Sequence, residues 1–168
     1  AALSTLSYTC ANFAAALRGR FSWISVFYAV MTLAILSALP EEQHGIADAL
    51  QHVREVRRAG RNFVCGQWQG HEVVLGLTGI GKVAAATTAT AMLEFFGAQK
   101  LVFTGVAGGI GEGVQVGDVI VAQHFLQHDM DVRPLFSRWQ VPGYDSLCFA
   151  CNQDMVQMLQ TAAQSCTA

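Results

Sequence analysis

Apolar and polar positions change rhythm several times along the chain. Met31-Thr-Leu-Ala-Ile-Leu-Ser-Ala-Leu39 is a nearly unbroken apolar run, followed by Pro40-Glu41-Glu42 and then by apolar positions at Ile46, Ala49 and Leu50. This order predicts a first strand feeding a helix. Asn62 to Gln67 and residues 72–77 read as two further strands, joined through Gln69-Gly70 as a hairpin. Lys82 to Phe96, rich in Ala and Thr with Leu93, Phe95 and Phe96 near its end, reads as a helix. Leu101 to Thr104 then reads as a strand running into Gly105-Val-Ala-Gly-Gly109, Gly111 to Val116 as a loop, and Asp118 to Ala122 as another strand. Between Asn152 and Ala163, Met155, Val156, Leu159 and Ala162 recur at helical spacing. Strands separated by helical runs predict a layered α/β domain with a mixed sheet, whose ligand site lies beyond the carboxyl ends of the strands. Ser37 to Glu42, Thr78 to Gly81 and Gly105 to Gly109 share that edge in this reading.

Composition narrows the class. A chain of 168 residues that is 52% apolar and 13% charged has core enough for one compact domain and too little charge to be disordered. With a net charge of −2 and no basic run longer than Arg57-Arg58, no nucleic-acid partner is expected. Residues 1–30 do not share the rhythm of the rest. Phe21 to Leu36 is an uncharged stretch of 16 residues preceded by Arg18 and Arg20, which raises a short membrane helix or an export signal. It is short for a span, no small-residue cleavage pattern follows it, and its second half suits the first strand better. The expectation is therefore an N-terminal extension over 1–30, a domain over 31–168 and no membrane partner.

Local motifs offer chemistry of different kinds. Residues 76–85, GLTGIGKVAA, carry the spacing of a phosphate loop, Gly76 with four residues before Gly81-Lys82. A nucleoside-triphosphate site needs a hydroxyl after the lysine to hold magnesium, and Val83 has none. A strand, a glycine turn and a helix start can still hold an anion or the polar edge of a ligand, and a plain structural turn competes with that reading. His128, Asp129 and Asp131 are drawable as metal ligands, against a structural loop or subunit contact. Cys148 and Cys151 have the spacing of half a metal or redox site, but no second pair accompanies them, so incidental thiols in a reducing compartment are expected.

Taken together, ILSALPEEQ (35–43), TGIGKVAAA (78–86), TGVAGGIGEGVQVGDVIV (104–121) and HDMDV (128–132) resemble the nucleoside phosphorylase superfamily. They are most similar to the bacterial nucleosidases of methionine salvage that hydrolyse 5'-methylthioadenosine and S-adenosylhomocysteine. The resemblance implies an α/β/α phosphorylase/nucleosidase-like fold with a central mixed sheet, and a hydrolase that needs no cofactor and no metal. It implies that Glu42 orients and deprotonates the attacking water. Cleaving an N-glycosidic bond builds positive charge on the ribosyl ring, and a nearby carboxylate both steadies that charge and takes the water's proton. The competing reading of Glu42 is a solvated acid at a helix start.

The same resemblance places Ile80 against the sugar and Ala107 and Gly108 along the purine and ribose, where small residues let a flat base approach the main chain. Val106 stands where some relatives have Ser, removing a polar contact. Lys82 has no phosphate to clamp in a hydrolase. A cytoplasmic homodimer is implied, in which Val132, Leu135 and Phe136 close an apolar pocket for the methylthio or homocysteine tail. The family continues through a Met-Glu pair that holds the ribose hydroxyls and a Ser-Asp pair that protonates the purine; neither motif is present, so a domain truncated at its C-terminus is expected. Phosphorolysis and a degenerate nucleoside-binding fragment stay open as alternatives. No arginine lies in 35–45 or 78–92, which favours water over phosphate.

Overall fold

The computed structural model describes residues 31–166, so the expectation for residues 1–30 lies outside the described residues. Backbone contacts group the chain into two units, one ending at Gly117 and one starting at Asp118.

The first unit is built on a five-stranded sheet in the order β2-β3-β4-β1-β5. Its strands are β1 (Thr32–Ser37), β2 (Gln51–Arg58), β3 (Arg61–Trp68), β4 (His71–Leu77) and β5 (Ala98–Phe103). β1 runs parallel to both β4 and β5, while β3 runs antiparallel to its neighbours β2 and β4, giving the mixed sheet that the pattern predicts. The expected β3–β4 hairpin pairs Phe63 with Gly76 and Trp68 with His71.

Alternation along β1 feeds two cores. Ala34 and Leu36 join Phe63, Cys65, Val74, Ala91 and Met92 on the face covered by helix α2 (Lys82–Phe96), where the Phe63 and Phe96 rings meet tilted with centroids 4.9 Å apart. Ile35 joins Val73, Leu75 and Trp68 on the other face, beneath Ile46 of the one-turn helix α1 (His44–Ala47) and Leu50. Helical elements thus lie on both faces of the sheet. Removing such aliphatic and aromatic side chains from water supplies roughly 1.5–3 kcal/mol each.

The continuous helix expected after Pro40 is instead a 3-10 turn over Pro40–Glu42 followed by α1. The backbone tightens rather than propagates, since the N–H groups of Ala49 and Leu50 donate to carbonyls three residues back, those of Ile46 and Ala47. Strand β2 has no hydrophobic signature. Only Val56 is half-buried along it, and pairing to β3, not burial, makes it a strand. The expected strand Asp118 to Ala122 does not form; Val119 and Ile120 are exposed, and an apolar run becomes a strand only where another strand takes its N–H and C=O groups.

In the second unit, β6 (His124–Phe125) pairs antiparallel with β7 (Phe149–Ala150), and Tyr144 meets Phe149 edge-on at 5.1 Å. Helix α3 (Gln153–Cys166) starts where Asn152 accepts the Met155 N–H at 3.0 Å, the side-chain cap that a helix N-terminus needs. No helix among the described residues is long and apolar enough to cross a membrane.

Candidate functional site

Because β1, β4 and β5 are parallel, their carboxyl ends emerge on one edge. Two backbone bonds join the segments that leave them, from Thr78 N–H to the Ser37 carbonyl at 2.8 Å and from Thr104 N–H to the Leu36 carbonyl at 2.9 Å. The three segments expected at the ligand edge are therefore neighbours.

On the first of them Leu39 is extended and Pro40 opens the 3-10 turn, which swings Glu42 back over the end of β1. Glu42 is only 5% exposed, whereas Glu41 beside it faces solvent. The solvated-acid reading thus fits Glu41, not Glu42. One Glu42 oxygen, Oε2, accepts the N–H groups of Ala38 at 2.8 Å and Leu39 at 2.9 Å, and Oε1 accepts the Val106 N–H at 3.0 Å. A buried carboxylate requires such partners, and main-chain donors hold it more rigidly than long side chains could. Gly105 makes the approach possible, since a Cβ there would lie 2.9 Å from Oε1. Gln43 is buried as well, and its Nε2 donates to the carbonyls of Ile35 at 3.2 Å and Gly76 at 3.0 Å.

The second segment is the glycine turn. Gly79 and Gly81 take positive φ of 69° and 112°, which explains the glycines without a phosphate. Thr78 is buried and donates its hydroxyl to the Gly79 carbonyl, while Ile80 is 86% exposed and Lys82 is exposed. Arg61, at the start of β3, reaches this turn from a distant position in the chain. Its Nη1 donates to the Thr78 carbonyl at 3.1 Å and its Nη2 to Thr87 Oγ1 at 3.0 Å. The count of arginines within the local motifs therefore understates the cationic groups near the turn.

On the third segment Val106 contributes its N–H to Glu42 while its side chain, Ala107 and Gly108 are exposed. The structure thus brings Glu42 and Val106 into contact and sets Ile80 on the adjoining segment.

In the second unit Val132 is half-buried, and Leu135 and Phe136 are exposed. Arg133, Pro134, Leu135, Phe136, Ser137 and Gln140 line an open cavity of about 510 Å³. Asp131 is clasped by the Arg133 guanidinium at 2.6 and 2.8 Å, and those hydrogen bonds hold its carboxyl down at about 2. Among the described residues no group of three or more His, Cys, Asp and Glu side chains converges as a metal site. Burial pushes the Cys65 thiol up, partly offset by Arg54.

Gln43 and Arg61 escape a reading of local patterns, as does the close approach of Gly105, itself expected at this edge, to Glu42. Gln43 does stand beside Glu42 in a quoted motif, but only sheet pairing reveals what its amide reaches.

Residues 32–166 match the phosphorylase superfamily. Over 114 residues the chain is 40% identical to a 5'-methylthioadenosine/S-adenosylhomocysteine nucleosidase of Bacillus thuringiensis (strain Al Hakam), covering 67% of this chain and 49% of that protein. The chain thus spans about half the length of the curated relatives it matches. Among solved structures it resembles the corresponding nucleosidase of Neisseria meningitidis in complex with methylthio-immucillin-A. That likeness has a TM-score of 0.77 and 31% identity, over 80% of this chain and 58% of the other. It also resembles futalosine hydrolase of Helicobacter pylori, with a TM-score of 0.75 and 27% identity over 81% of this chain and 59% of the other.

Proposed function

This chain belongs to the phosphorylase superfamily, and on that premise we propose that it carries the water-activating part of a nucleosidase site. The reaction is hydrolysis of the N-glycosidic bond of 5'-methylthioadenosine and S-adenosylhomocysteine, releasing adenine. The observation that supports it is the Glu42 carboxylate, buried and gripped by main-chain N–H groups from Ala38, Leu39 and Val106. In the proposed step the glycosidic C–N bond breaks, its electron pair leaves with adenine, and a water oxygen bonds to the ribosyl carbon. Glu42 takes the water's proton and steadies the positive charge on the ring. The departing adenine takes its proton from solvent water, the acid available to the chain.

Ile80, Val106, Ala107 and Gly108 line the ribose and base in this proposal. Val132, Leu135 and Phe136 receive the thioether tail across a homodimer, in the cytoplasm where adenosine metabolites arise. A second reading, hydrolysis of a futalosine-type nucleoside, draws support from the likeness to futalosine hydrolase.

The test is adenine release from 5'-methylthioadenosine by the purified chain, with and without phosphate, beside Glu42→Gln. Phosphate-independent release that falls roughly 10²–10⁴-fold in Glu42→Gln is expected. Release that requires phosphate would replace hydrolysis by phosphorolysis, with Arg61, which reaches the glycine turn through the Thr78 carbonyl, a cation to examine. A folded chain that releases no adenine would sink the catalytic reading.

A further inference from the structure

The turn that carries Glu42 is short. It is a three-residue 3-10 segment followed by a four-residue helix, closed by Glu42 N–H to Leu39 O at 3.2 Å, Gln43 N–H to Pro40 O at 3.1 Å and the carboxylate's own bonds back to Ala38 and Leu39. Yet the carboxylate meets donors from two different strand ends, Ala38 and Leu39 after β1 and Val106 after β5. A catalytic group must sit within about 0.5 Å of its working position, so something outside the turn fixes it.

One anchor is Ile46, 1% exposed beneath the sheet core. The other is polar. Gln43 is 7% exposed, and its amide donates to one carbonyl on β1 and one on β4, Ile35 and Gly76, across the seam where Leu36 pairs with Gly76. An apolar side chain would fill this place without the cost of burying an amide. What the amide adds is direction: both N–H groups are committed to carbonyls of the central strands, and the residue they pin is joined to Glu42 by one planar peptide.

We propose that Gln43 is a positioning residue for Glu42, tying the Pro40–Glu42 turn to the β1–β4 seam so that the carboxylate bridges the ends of β1 and β5. The catalytic consequence rests on the water-activating reading of Glu42; the positioning itself is measurable without it.

Gln43→Met keeps the length and shape of the side chain and removes both donors; Gln43→Leu serves if the first variant does not fold. Amide hydrogen exchange on the full chain reads the N–H groups of Ala38, Leu39 and Val106 against those of Val74 and Leu75 inside the sheet. The expected result is at least a tenfold loss of protection at the three amides, matching Glu42→Gln, with the sheet amides unchanged. In an adenine-release assay kcat falls about 10- to 100-fold while KM stays within about twofold, the signature of a misplaced group rather than lost substrate contacts. Unchanged exchange at the three amides, uniform loss across the sheet, or altered exchange with kcat preserved would each overturn the proposal. A parent chain that releases no adenine would count against the nucleosidase reading alone, because the exchange experiment still decides what Gln43 holds.

Discussion

Two acids mark two ways of holding a carboxylate in this molecule. Glu42 is buried and accepts main-chain N–H groups, one of them from Val106, 64 positions away. Asp131 is exposed and accepts from Arg133, two positions away, through the guanidinium and the backbone N–H. The Ala38 and Leu39 donors of the first are local, but its Val106 contact exists only when the sheet is assembled; the second needs little more than a local bend. Water screens the Asp131 pair, so it contributes little to stability. The enclosure around Glu42 is the one suited to chemistry, because preorganised donors in a dry setting fix both charge and position.

That contrast can be broken most sharply at Gly105. Gly105→Ala places a methyl group 2.9 Å from Glu42 Oε1, so either the carboxylate or the strand end must move. The expected cost is roughly 1–3 kcal/mol in stability, read by urea denaturation, with the Val106 N–H losing its exchange protection. A variant as stable as the parent with Val106 still protected would show that the enclosure is looser than its distances suggest.

Ser37 sharpens the same side of the comparison. It is fully buried at the end of β1, and its hydroxyl finds no hydrogen-bond partner among the described residues. Ser37→Ala removes that unpaired group and is expected to stabilise the chain by about 1 kcal/mol, seen as a higher denaturation midpoint at unchanged slope. Destabilisation would mean that the hydroxyl has a role in the fold that its surroundings do not reveal.

The smallest effect belongs to Asp131. Its folded carboxyl is lowered from 3.8 to about 2, so whatever stability its pairing with Arg133 contributes is present above 3.8 and is lost as pH falls through about 2. An NMR titration should place the Asp131 midpoint at about 2 in the parent, and Arg133→Gln should return it toward 3.8 with almost no change in stability at neutral pH. A midpoint already near 3.8 in the parent would leave this loop without even its local order.

Much of the fold was legible in the chain. The unbroken apolar run into Pro40, the turn-separated strands of the β3–β4 hairpin and the Ala- and Thr-rich composition of α2 are visible in the sequence itself. Strand β2 was not legible, because its exposed Gln-His-Val-Arg-Glu-Val-Arg-Arg sequence takes its conformation from β3 alone. Residues 118–122 erred in the opposite direction, having the composition of a strand and no strand to pair with. At the site, Glu42 was named from its motif and Gly105 only as the start of an edge segment, while Gln43 and Arg61 were passed over. The roles of the latter three depend on contacts with Gly76, Glu42 and Thr78 that no local pattern contains.

The sequence by itself determined the order of strand, turn and helix, and the presence of a carboxylate just past the first strand, because these follow from side-chain period and local backbone preference. Only the tertiary structure decided that this carboxylate is buried, that the Val106 N–H meets it and which amide anchors its turn. Those contacts come from β4 and β5 laid parallel on either side of β1, and that adjacency is a product of long-range packing.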